Sequence, residues 1–171
     1  MGSPSPRSEP TLVDRTFQLA YFCAYRMMRA YWRVAHPTTH GTQILLFHGD
    51  DVLLVKNSYV PYWSAPGGYI ASGETGRDAV VRELREEIGF AANPDEVRLL
   101  LEVKHEWEGK IDHCQIFGLD VPDRVPVEID HREVVEASFI PIEQALGLVL
   151  FPPLRTVLED RVRERSRNQT H

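Results

Sequence analysis

The chain has 171 residues, 43% of them hydrophobic and 26% charged, with a formal net charge of −6. That is enough for one compact domain with its own core and short for two, and the acidic balance argues against a general nucleic-acid surface, which is usually basic. Cys23 and Cys114 have no CxxC or Cys/His spacing, the pattern of a reduced cytosolic protein, and with no secretory signal or uncharged membrane-length run a cytoplasmic location is expected.

Residues 1–12 are rich in proline and serine and are expected to form a disordered lead-in. Over 13–36, Phe17, Tyr21, Tyr25, Met28 and Trp32 recur every three or four residues, which predicts an aromatic, amphipathic helix. Arg15, Arg26, Arg29 and Arg33 accompany it, with no acid between Asp14 and Asp50. Two readings stay open for residues 14–35: docking on its own domain or on a second subunit as a homodimer, and contact with an anionic membrane surface. Pro37 ends the segment.

The pattern then becomes β-like, and 38–163 reads as the main domain. Thr42 to Phe47 and Val52 to Val55 predict a hairpin across His48-Gly49-Asp50-Asp51. Tyr62-Trp63-Ser64-Ala65 leads into a bare Pro66-Gly67-Gly68 loop, where backbone can approach a ligand closely. A helix follows, with Thr75 as N-cap, Asp78 in its first turn and Gly89 as terminator. Val97 to Trp107, Ile111 to Leu119 and Val134 to Ile140 read as strands. Pro141 at the first helical position opens a short helix, Pro152-Pro153 opens a last one through about Arg163, and 164–171 is expected to be a flexible tail. Strands interleaved with helices make an α/β layered sandwich.

The predicted 75–89 helix carries the chemistry. At about 100° per residue, Glu83, Glu86 and Glu87 share one arc, while Val80, Leu84 and Ile88 share another that faces a core. Like charges at these spacings destabilise a bare helix. Hard oxygens at this density suit a divalent cation, Mg²⁺ or Mn²⁺. The alternative is a solvated acidic face, the usual meaning of a charge run.

The spacing Gly68, five residues, Glu74, seven residues, Arg82-Glu83-Leu84, one residue, Glu86-Glu87, one residue, Gly89-Phe90 resembles the Nudix box at every defined position. The resemblance extends more loosely, by strand and loop order, from about residue 40 to about residue 160. It implies a Nudix-like α/β/α sandwich with a mixed sheet, here with an extra N-terminal helix. It also implies metal-dependent hydrolysis of a phosphoanhydride in a nucleoside diphosphate linked to another moiety. By the same resemblance, Glu86 and Glu87 are metal ligands with the Gly67 carbonyl, and Glu83 is a further ligand or the base. Arg82 pairs with Glu74, and a later carboxylate completes the site: Glu133, with Glu136 and Glu128 as competitors. Trp63, Tyr62, Tyr69 and Trp107 are candidates for stacking on a base, and Gly68 for substrate contact, although aromatic residues in a small domain are more often core. The extra-box markers of the ADP-ribose, dinucleoside polyphosphate, NADH and coenzyme A subfamilies are missing. Removal of pyrophosphate from RNA 5′ ends, a non-catalytic ligand sensor and an allylic diphosphate isomerase are the alternatives. The retained glutamates speak against the sensor, and the lack of a recognisable cysteine setting speaks against the isomerase.

Overall fold

A computed structural model of the protein describes residues 10–129 and 131–168. The outer parts of the expected lead-in and tail, 1–9 and 169–171, lie outside the described residues. In chain order the elements are α1 (Leu12–Ala35), β1 (Thr38–His48), β2 (Asp51–Asn57), β3 (Gly67–Tyr69), α2 (Gly76–Ile88), β4 (Arg98–Trp107), β5 (Lys110–Asp120), β6 (Val134–Pro141), α3 (Ile142–Ala145) and α4 (Pro152–Asn168). The sheet runs β4-β5-β1-β2-β6, with β3 on β1. It is mixed: β1 and β5 are parallel, and the other pairs are antiparallel.

Strand alternation divides the core into two layers. Ile44 and Leu46 of β1, with Leu53 and Val55 of β2, pack on Val80, Leu84 and Ile88 of α2. The intervening Leu45, Phe47, Val52 and Leu54 pack on Ile142, Ala145, Leu154 and Leu158 from α3 and α4. Helices cover both faces, so the architecture is the expected α/β/α sandwich.

β1 and β2 pair at Phe47↔Val52 and His48↔Asp51 beside their turn. Farther along, the connecting loop comes between them: Ser64 pairs with Val55, and Gly67 pairs with Gln43. The Pro66-Gly67-Gly68 stretch is therefore extended against β1 where a bare loop was expected. Two details at the chain's other end also differ from expectation. Pro141 caps α3 rather than occupying its first turn, because Ile142 is the first residue in the helix. α4 continues through 164–168, where a tail was expected, and there Arg165 donates to the Gly49 carbonyl at 3.2 Å and pairs with Asp50.

α1 docks on its own domain by its aromatic stripe. Thr11 caps it reciprocally with Asp14. Tyr25 and Trp32 are buried, Tyr21 stacks on Tyr59, and Tyr25 donates a hydrogen bond to Glu108. Glu108-Gly109 is a turn with positive φ at both residues (54° and 90°). A Cβ on Gly109 would lie 3.1 Å from Arg33 Cα, so glycine lets the helix settle onto the β4–β5 turn. Arg29 Nε stands 3.4 Å from Glu108, and Gln18 donates to the His131 carbonyl at 2.7 Å.

Candidate active site

α2 starts and stops as its sequence dictates. Thr75 Oγ1 accepts the Asp78 N–H, Gly89 takes the left-handed conformation at φ 73°, and Phe90 N–H returns to the Leu84 carbonyl. With its apolar side fixed on the sheet, the helix presents Glu83 and Glu87 toward β3, with Glu86 exposed beside them. Arg82 holds the preceding loop through two parallel bonds to Glu74, 3.0 and 3.1 Å, and a third to the Tyr69 carbonyl at 3.1 Å. Its remaining nitrogen reaches Glu83 at 2.6 Å and Glu86 at 3.5 Å. Glu74 in turn accepts the Ala71 N–H at 3.0 Å, and the Arg82 bond holds its carboxyl below the usual range.

Glu87 is differently placed. Its residue keeps partial exposure, but the carboxylate is enclosed and accepts the Gly67 N–H at 2.9 Å. Burial pushes its pKa up to about 8; the Gly67 bond opposes this, and Glu133, Glu83 and Glu86 add to it. Burial also raises the pKa of Glu83, against the pull of Arg82. Gly67 and Gly68 permit this closeness. A Cβ on Gly67 would meet the Thr42 carbonyl oxygen at 2.1 Å, and one on Gly68 would meet Glu83 Oε1 at 2.3 Å.

Glu133 acts electrostatically on both Glu83 and Glu87, and its carboxylate accepts the Tyr59 hydroxyl at 2.7 Å. Glu128 stands at the far end of α2, its N–H bonded to the Ile88 carbonyl, and Glu136 pairs along β6 with Lys56. The structure thus gathers Glu83, Glu86, Glu87 and Glu133 around β3 and leaves the two competitors outside. The donor set fits a hard divalent cation: it consists of carboxylates that repel one another, one of them enclosed with a raised pKa. Among the described residues no three His, Cys, Asp or Glu side chains converge into a coordination shell. The acids share a region without being drawn to a point. The contact seen at Gly67 uses its N–H, which points at Glu87.

A cleft opens from this cluster, and Glu87, Gly67, Gly68 and Trp107 line it. Trp63 does not. Its backbone bonds to Val149 and Phe151, and its ring lies under Lys56. The neighbouring Tyr62 lines the cleft instead, as alternation along an extended segment requires. Sequence reasoning missed the far wall: Tyr25 and Trp32 of α1, with Lys110 and Asp112 of β5. The buried Lys110 ammonium lies 4.6 Å from the Trp32 ring and 5.2 Å from the Tyr69 ring, with Asp112 Oδ1 at 3.5 Å. The aromatic stripe signalled that Tyr25 and Trp32 are buried, but nothing in it named the cleft.

The α/β/α sandwich thus carries a glutamate-bearing helix against a glycine strand. The chain belongs to the NUDIX domain family, whose model matches residues 37–161. It is 35% identical over 115 residues to an uncharacterized Nudix hydrolase of Pseudomonas aeruginosa, covering 62% of this chain and 64% of that one. The matched segment spans about a third of the length of the first curated relatives. Among solved structures, the MutT protein of Methanosarcina mazei has a TM-score of 0.63 at 24% identity, covering 75% of this chain and 96% of that one. The NUDIX domain of Shewanella oneidensis NrtR, complexed with ADP ribose, has a TM-score of 0.62 at 19% identity, covering 73% and 88%. These two likenesses concern the fold. α1 precedes the matched domain.

Proposed function

We propose that this protein hydrolyses a phosphoanhydride bond in a nucleoside diphosphate linked to another moiety, using Mg²⁺ or Mn²⁺. The observation that carries the reading is Glu87: an enclosed carboxylate at the edge of an open cleft, beside three other acids, with no cationic side chain among the causes of its shifted pKa. Glu86 and Glu87, with the Gly67 carbonyl, would hold the cation, which when bound neutralises charge on the phosphate oxygens.

The rest falls to the chain's own groups. Arg82, fixed by Glu74 and the Tyr69 carbonyl, holds Glu83 in place. Glu83, with its raised pKa, takes the proton from the water that attacks phosphorus, and the anhydride P–O bond breaks toward the leaving phosphate. Glu133 stands on the same side as a second acceptor. Trp107 and Gly68 border the space for the substrate.

The ADP ribose held by the Shewanella NUDIX domain makes that compound the first substrate to try. The test is a phosphate-product screen over ADP-ribose, other nucleoside diphosphate sugars, dinucleotides, nucleoside triphosphates and triphosphorylated RNA, with Mg²⁺ and with Mn²⁺. The reading expects turnover of at least one small nucleotide derivative, abolished by chelator. Turnover of none, or undiminished turnover in excess chelator, would overturn it.

A further inference from the structure

We propose that the outward face of α1 seats on an anionic lipid bilayer. The inward face of α1 is already occupied by its own domain through Tyr25 and Trp32. At about 100° per residue, Leu12, Leu19, Cys23, Met27, Ala30 and Val34 fall on the opposite side. All six are exposed; Val34 keeps 84% of its surface, Leu12 82% and Met27 71%. Nothing among the described residues covers them. A helix needs one apolar stripe to dock on its domain, and this one has two.

Charge selects the occupant. Arg15, Arg26 and Arg33 run along one border of the exposed face. Arg26, Arg29 and Arg33 together line a shallow depression; Arg29 is paired with Glu108, which leaves Arg26 and Arg33 to meet a phosphate headgroup. The helix's single acid, Asp14, is on the docked side, bound to Thr11 and 3.4 Å from Arg132. Three arginines on the exposed border therefore stand against one aspartate on the docked side, in a chain of net charge −6. An anionic surface attracts this helix and repels the rest of the molecule, which fixes the orientation of approach. An apolar face with a basic border is the pattern of a helix lying in the membrane interface. An antiparallel second copy fits less well: two such helices packed face to face about a two-fold axis would bring their arginine borders together.

The test uses the full chain and reads binding alone. The protein is floated with vesicles of phosphatidylcholine, with and without about 30% phosphatidylglycerol, at low and high salt. The expected result is flotation with the anionic vesicles only, weakening steeply with salt. At about fivefold per arginine, the R26Q/R33Q variant should bind about twenty-fivefold more weakly. Met27→Asp should also reduce binding, and circular dichroism checks that both variants stay folded. Equal flotation with both vesicles, absence from both, or unchanged binding by R26Q/R33Q would overturn the proposal. So would a dimer in sedimentation that Met27→Asp dissolves while vesicle binding is absent, since that puts a second copy on this face.

Discussion

The Gly67 N–H points at the Glu87 carboxylate across 2.9 Å, tying the glycine strand β3 to the acidic side of α2. A side chain at Gly67 would meet the Thr42 carbonyl of β1, so only glycine lets the strand lie this close to the Glu87 carboxylate. The acids of the site are thus placed by backbone as well as by side chains.

Glu87→Gln should reduce turnover by two or more orders of magnitude while leaving the fold intact. It replaces a carboxyl that folding forces to take up a proton near neutral pH, so the metal-free variant should also melt several degrees above the parent. Differential scanning calorimetry in chelator checks the second half without knowledge of the substrate.

The same carboxylate sets a pH dependence. In the unfolded chain it titrates near 4.5, and in the folded, metal-free protein at about 8. Between those values the native state holds a proton that the unfolded state has released, so stability is present below the lower value and is lost as pH rises through the upper one. Glu83, also raised, adds in the same direction. Urea denaturation in chelator from pH 4.5 to 8 should show this decline, and Glu87→Gln should flatten it.

Arg82 makes five contacts from one planar fork, to Glu74 twice and to Glu83, Glu86 and the Tyr69 carbonyl. A lysine cannot reproduce that geometry. Arg82→Lys should lose most of the activity that Arg82→Ala loses, and both should cost about 1–3 kcal/mol in chemical denaturation.

Trp32→Ala removes a buried ring that cushions Lys110 and walls the cleft. Truncating a buried aromatic costs about 3–5 kcal/mol, and here the loss falls on the docking of α1. Limited proteolysis should cut within 12–35 in the variant before the domain itself is touched. Substrate KM should rise more than kcat falls, because the carboxylates around β3 stay in place. Because Tyr25 and Trp32 line the cleft, removal of residues 1–35 should affect chemistry as well as behaviour in solution.

The features legible in sequence were those governed by local rules. Thr75, Asp78 and Gly89 bound α2 as their cap chemistry dictates, and the i, i+4 spacing of Val80, Leu84 and Ile88 placed its acids on the other side. β3 escaped because a strand built on two glycines carries no hydrophobic alternation; only its pairing with β1 reveals it. The periodicity of α1 showed that one stripe is buried but not what it meets, since Tyr59, Glu108 and Lys110 are distant in sequence. Glu128, Glu133 and Glu136 looked alike as loop and strand-edge carboxylates. Tertiary placement separates them, and it does so through the Tyr59 hydroxyl. Trp63 and Tyr62 are equal candidates for stacking in the sequence, and the structure separates them, because Trp63 sits one residue out of phase with the cleft-facing Tyr62.

If the acids around β3 capture a divalent cation for phosphate chemistry, Mn²⁺ titration followed by electron paramagnetic resonance should detect it. Saturable Mn²⁺ binding to the parent chain is expected, competed by Mg²⁺, strengthened by a non-hydrolysable nucleoside diphosphate and largely lost in Glu86→Gln and Glu87→Gln. Free Mn²⁺ signal throughout the titration, or equal binding by parent and both variants, would contradict it.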